Sequence, residues 1–121
     1  MNLIDTSALY DMIAQRKAEA IRESFILDLT IYEFGNAVWK QQRRSKGISK
    51  NECRLLIESF TKLGLRPIRI DTADLAAISA IAGDYDVTVY DAAYIYYAKR
   101  HSLDLITSDE KLGKAWANAG K

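Results

Sequence analysis

One cysteine, one proline and one histidine occur in these 121 residues. The lone Cys53 excludes an internal disulfide and any cluster of thiolate metal ligands, and its apolar helical neighbours make it a core residue. His101 is the only imidazole, so a serine–histidine pair has a single weak candidate, and its place near a helix end suits the dipole or solvent. The six glycines form no phosphate loop of the Walker or Rossmann kind and no Gly-x-Ser-x-Gly elbow. No apolar run approaches the roughly 18 residues of a membrane-spanning helix. Met1 to Asp5 has neither a basic stretch nor a long apolar one, so no signal peptide is expected and the natural reading is a cytoplasmic protein.

What remains is ordinary globular material: 49% hydrophobic residues and 27% charged ones, enough for a core in one domain spanning 1–121. The net charge of +1 does not announce a nucleic-acid partner, but its distribution is uneven. Lys40, Arg43, Arg44, Lys46 and Lys50 follow one another without an acid, whereas Asp71, Asp74, Asp84, Asp86 and Asp91 follow without a cation. Such a pattern fits a phosphate-facing rim beside an acidic pocket, and equally two solvated helix faces.

Strand and helix signals alternate, which predicts an α/β fold with a mostly parallel sheet. Strands are expected at Met1–Ile4, Phe25–Leu27, Leu65–Ile70 and Leu103–Ile106, with Pro67 suiting an edge strand. Helices are expected from Thr6 or Ser7 to about residue 15, over Lys17–Glu23, from Thr30 to about Lys46, from Ser49 to Gly64, over Asp71–Gly83, from Thr88 to about His101, and over Glu110–Ala119. Ile31, Phe34, Gly35 and Val38 mark the inner face of the third. Ser49 and Glu52 make a capping box for the fourth, whose apolar positions are Cys53, Leu56, Ile57 and Phe60.

In such a sheet, strand C-termini and the following helix N-termini share the edge where ligands bind. Asp5 follows the first strand, Asp109 lies just past the last, and Glu33 and Asp91 are expected in first helical turns at that edge. Each acid has a plainer explanation. Thr30-x-x-Glu33 matches a capping box, Thr88-x-x-Asp91 is its aspartate variant, and Asp5 and Asp109 suit caps or helix dipoles. Asp91 resists most, because it shares a face with Tyr94, Ile95 and Ala98 that should be buried, where a lone carboxylate is costly. Four converging carboxylates would need a cation. Oxygen donors without histidine or cysteine select Mg²⁺ or Mn²⁺, suited to phosphodiester hydrolysis.

With those residues in hand, the chain resembles the PIN-domain family, and within it the ribonuclease toxins of VapBC toxin–antitoxin modules. The resemblance runs through Asn2-Leu3-Ile4-Asp5-Thr6-Ser7-Ala8-Leu9, Leu29-Thr30-Ile31-Tyr32-Glu33-Phe34-Gly35-Asn36-Ala37-Val38, Tyr90-Asp91-Ala92-Ala93-Tyr94 with Ala98, and Leu105-Ile106-Thr107-Ser108-Asp109-Glu110-Lys111-Leu112. It implies a three-layer α/β/α sandwich with a parallel sheet of order 3-2-1-4, often with a fifth strand. It also implies a Mg²⁺- or Mn²⁺-dependent endoribonuclease that leaves a 5′-phosphate and a 3′-hydroxyl by in-line attack of a metal-activated water. Asp5, Glu33, Asp91 and Asp109 match the acidic quartet, with Asp5 and Asp91 as the main metal ligands. Thr6 and Thr107 match positions that orient carboxylates, and Asn36 matches a frequent neighbour of the site. The expected partners are RNA, with Lys40, Arg43 and Arg44 guiding its backbone, a VapB-type antitoxin and a second copy of the chain. The sequence ends at Ala117 to Lys121 where many relatives continue into a short strand, so the fifth strand is either missing or truncated.

Two rivals place acids similarly. A phospho-receiver wants adjacent acids on the first strand and a lysine ending a late one, but Asp5 stands alone and the late strand ends Thr107-Ser108-Asp109. A haloacid-type phosphatase wants Asp-x-Asp where this chain has Asp5-Thr6-Ser7. A PIN-like module kept only for binding RNA or protein is the remaining alternative.

Overall fold

The structure, a computed structural model, describes residues 1–120. Four short parallel strands, β1 (Asn2–Ile4), β2 (Phe25–Leu27), β3 (Arg66–Ile68) and β4 (Asp104–Ile106), form one sheet of order β3-β2-β1-β4. Among the described residues there is no fifth strand. Pro67 lies on edge strand β3 opposite Ile26, where its missing N–H interrupts no further ladder.

Among the described residues, six α-helices cover the sheet: α1 (Thr6–Ala14), α2 (Asp28–Arg43), α3 (Lys50–Lys62), α4 (Leu75–Tyr85), α5 (Val89–Arg100) and α6 (Glu110–Ala119). The strands alternate apolar side chains to both faces, and this divides the core into two. Leu3, Leu27 and Leu105 pack with α4, α5 and α6; Ile4 and Ile26, with Ile106 against them, pack with α1, α2 and α3. The three-layer α/β/α sandwich follows from that alternation.

Several helix boundaries depart from the sequence signals. Lys17–Glu23 yields only a 3₁₀ turn, Ala18–Ile21, and the segment after Asp71 begins as another, Thr72–Asp74, before α4. Helix α2 starts at Asp28, directly after Leu27, so Thr30 lies inside it and forms no cap. Its inner face therefore runs Thr30, Phe34, Val38 at four-residue spacing, while Ile31 is turned out and 45% exposed. In α3 the Ser49–Glu52 capping box forms with both halves present. Cys53, Leu56 and Phe60 pack against the core there, but Ile57 faces solvent.

Candidate active site

Each strand that leaves the sheet at the C-terminal edge of β1, β2 and β4 hands over to a helix within a few residues, so polar side chains from distant segments meet there. Asp5 ends β1 and caps α1. Its N–H donates to the Ile106 carbonyl at 3.0 Å, which ties it to β4. The residue is 4% exposed. One oxygen accepts from the Ala8 N–H (2.9 Å) and the Ser7 hydroxyl (2.8 Å), the other from the Thr107 hydroxyl. Burial nevertheless raises its pKa above the ordinary value, against the pull of those three donors, and Asp109 adds repulsion.

Asp109 caps α6, accepting from the Leu112 N–H at 2.8 Å, and its own N–H donates to Thr107 Oγ1 at 3.0 Å. Thr107 thus links Asp109 to Asp5. Ser7 makes a second link, donating to Asp5 and accepting from the Ser108 N–H at 3.1 Å. Asp91, in the first turn of α5, is half-buried, and its N–H donates to Thr88 at 3.1 Å. Its pKa is raised by burial first, then by the negative charges of Asp109, Asp5 and Glu33; Lys111 opposes them.

Glu33 sits one turn deeper in its helix than the capping-box pattern implies, and is free of that role. One of its oxygens accepts from Thr6 Oγ1 (2.8 Å) and from the Tyr94 hydroxyl (3.0 Å). That hydroxyl is also 2.6 Å from Thr30 Oγ1 and 3.2 Å from Thr6 Oγ1. Tyr94 is 2% exposed, and burial holds its phenol well above the usual range. Buried Thr30 and Tyr94 therefore form a polar bracket behind Glu33, one that apolar periodicity does not reveal.

All four carboxylates line one pocket of about 180 Å³, together with Thr6, Ser7 and Tyr94. A larger groove of about 530 Å³ between α1 and α3 is lined largely by apolar residues such as Tyr10, Ile13 and Leu55 and contains a single acid, Glu52. Chemistry, not size, singles out the smaller pocket. Asn36 lies on the wall of the neighbouring cleft and makes no hydrogen bond to a carboxylate among the described residues. Lys40, Arg43 and Arg44 lie at or beyond the C-terminal end of α2, exposed and outside the pocket wall, with Arg43 over the Trp39 ring at 5.4 Å. Lys111, which the charge pattern did not single out, is a cation that acts on Asp91.

The donors are oxygens alone, and the buried Asp5 has no cationic partner among the described residues; that chemistry fits a hard divalent ion. No three of these acids are arranged to grip one ion together. An ion here would take one or two carboxylates directly and keep water on its other positions, which is the habit of Mg²⁺.

Comparison with known proteins agrees with this geometry. The description of the PIN domain matches residues 3–116. Exonuclease VapC9 of Pyrobaculum aerophilum is 36% identical over 91% of this chain and 81% of its own length. Ribonuclease VapC3 of the same organism is 31% identical over 84% of this chain and 77% of its own. The crystal structure of PAE2754, also from Pyrobaculum aerophilum, superposes with a TM-score of 0.80 at 34% identity, covering 94% of this chain and 78% of that one. An α/β sandwich with strand order 3-2-1-4 and carboxylates gathered at its strand ends defines the class. The chain belongs to the PIN-domain family, as a nuclease of the VapC type.

Proposed function

We propose that this chain is a single PIN domain over residues 1–121 that acts as a divalent-metal-dependent endoribonuclease, the toxin of a type II toxin–antitoxin pair. The observation that carries the reading is the pocket where Asp5, Glu33, Asp91 and Asp109 meet, with no ion pair to any of the four among the described residues. Asp5 and Asp91 would hold Mg²⁺ or Mn²⁺, with Glu33 and Asp109 completing the site through water, and the ion would polarise the phosphate and acidify a water. The protein's own part is positional. Ser7, Ala8 and Thr107 hold the Asp5 carboxylate, while Thr6 and Tyr94 hold Glu33, so the acids are oriented before substrate arrives. Lys111 would meet a phosphate beside Asp91, and Lys40, Arg43 and Arg44 would meet the RNA backbone farther along α2. A VapB-type antitoxin and a second copy of the chain are the expected protein partners, and the cytoplasm the expected compartment.

The two named relatives carry different activities in their names, exonuclease and ribonuclease. A circular single-stranded RNA separates the readings. Opening of the circle in Mn²⁺, blocked by EDTA and by Asp91→Asn, is the expected result. Degradation of linear RNA alone would make the chain an exonuclease, and cutting of DNA alone would remove the ribonuclease reading. RNA bound but never cut, with or without divalent ions, would leave a PIN-fold binding module.

A further inference from the structure

Tyr32 and Tyr90 are the two most exposed rings among the described residues, at 82% and 63%. Each directly precedes a carboxylate of the acidic pocket, Tyr32 before Glu33 and Tyr90 before Asp91. The two tyrosines line one cleft of about 490 Å³ with Leu29 and Asn36, and Glu33 belongs to the walls of both this cleft and the acidic pocket. The ring-to-ring and cation-to-ring contacts of the described residues all involve other aromatics, so neither tyrosine is already stacked on a ring or under a cation.

We propose that this cleft is a nucleobase subsite: it takes one unpaired base of the RNA, beside the phosphate engaged by the acidic pocket. The inference rests on the nuclease reading. Tyrosine suits the task because its broad face is held by only two rotatable bonds, so little freedom is lost when a base stacks on it. Stacking needs a free base face, which a duplex hides, so the cleft selects single strands. Asn36 at the wall offers both a donor and an acceptor to a base edge. A second copy of the chain is the poorer occupant, since a two-fold axis through the cleft would set one acidic pocket against the other.

The test uses a fluorescein-labelled single-stranded RNA octamer, with binding read by anisotropy in EDTA and cleavage kinetics read in Mn²⁺. Tyr32→Ala and Tyr90→Ala should each raise Kd and KM about five-fold or more, with kcat less affected. Tyr32→Phe and Tyr90→Phe should restore both, while melting temperature and sedimentation stay at wild-type values. A duplex of the same sequence should bind more weakly and be indifferent to the four variants. Unchanged Kd in both alanine variants, or no octamer binding by the wild type, overturns the proposal. So does a loss of binding that tracks dissociation of an oligomer, which would make the cleft an interface between copies. Asp91→Asn separates the two claims. If it cleaves RNA as fast as the wild type, the acidic pocket is not the nuclease site, and a Kd raised by the tyrosine variants would still uphold the base subsite.

Discussion

Helix α5 serves two groups of acids, and they are treated in opposite ways. Near its C-terminal end, Tyr96 and Tyr97 donate hydroxyls to the two oxygens of Asp74 at 2.9 and 3.0 Å, and Arg100 adds an ion pair at 3.1 Å. These partners, the Tyr96 hydrogen bond first, draw the Asp74 pKa below its ordinary value. At the N-terminal end Asp91 is pushed the other way, by burial first and then by three other carboxylates. Both are acids beside an apolar helix face, but only one has its charge answered. The satisfied acid fastens the turn before α4 onto α5. Of the unanswered ones, Asp5, Glu33 and Asp109 accept from neutral donors, which fix their direction without cancelling their charge. On the proposed function, that difference separates a structural carboxylate from one kept for a cation.

The largest effect should come from removing charge at the unanswered end. Asp91→Asn should lower Mn²⁺-dependent RNA cleavage by more than about 100-fold, beyond what the loss of an outer partner of a metal ligand costs. Asp74→Asn should leave the rate near wild type in the same assay. Equal losses in both variants would erase the distinction drawn between the two ends of α5.

Next comes the bracket behind Glu33. Tyr94→Phe deletes a hydroxyl that touches Glu33, Thr30 and Thr6 while keeping the buried ring. Cleavage should fall about 10-fold, mainly in kcat, with little change in octamer binding. Thr30→Val should follow in the same direction. A rise in KM alone would show that the bracket serves binding and does not orient Glu33.

For Asp74 the readout is stability against pH. Its folded-state pKa is depressed, so its contribution is fully present above the unfolded value near 3.8 and fades as pH falls through the lower folded value. Asp74→Asn should therefore melt below wild type at pH 7, with the gap closing only in strong acid. A gap that closed by pH 6 would assign the effect to some other group.

The two-faced core was legible in the strands, because Leu3–Ile4 and Leu105–Ile106 carry apolar residues to both sides and only a covered sheet allows that. The positions of Asp5 and Asp109 at strand ends were legible too, but the choice between cap and site was a false one. Each caps a helix with one oxygen and still lines the pocket. Helix register was not legible: Thr30-x-x-Glu33 looks like a capping box, and only the start of α2 at Asp28 shows that it is none. Tyr94 was read for its face and not for its hydroxyl, since periodicity says which side is buried and nothing about partners 61 and 88 residues away. Lys111 hides in the same way, one cation among several until the fold sets it near Asp91.

The smallest effect tests what burial and the neighbouring charges cost Asp91, in the absence of any ion. Asp91 has a raised folded-state pKa, so above that value its ionised form costs folding free energy relative to the unfolded chain. The cost shrinks as pH falls toward the ordinary 3.8, where folded and unfolded chains both become protonated. In EDTA at pH 7, Asp91→Asn should therefore melt slightly above wild type, and the gain should vanish as pH approaches 4. Part of the repulsion is already screened, because Asp91 is only half-buried and Lys111 stands near, so a shift of a few degrees at most is expected. Adding Mn²⁺ should reverse the order, raising the melting temperature of the wild type but not of the variant. A wild type that melts above Asp91→Asn in EDTA at pH 7 would mean that Asp91 is as well answered as Asp74, and that the two ends of α5 do not differ.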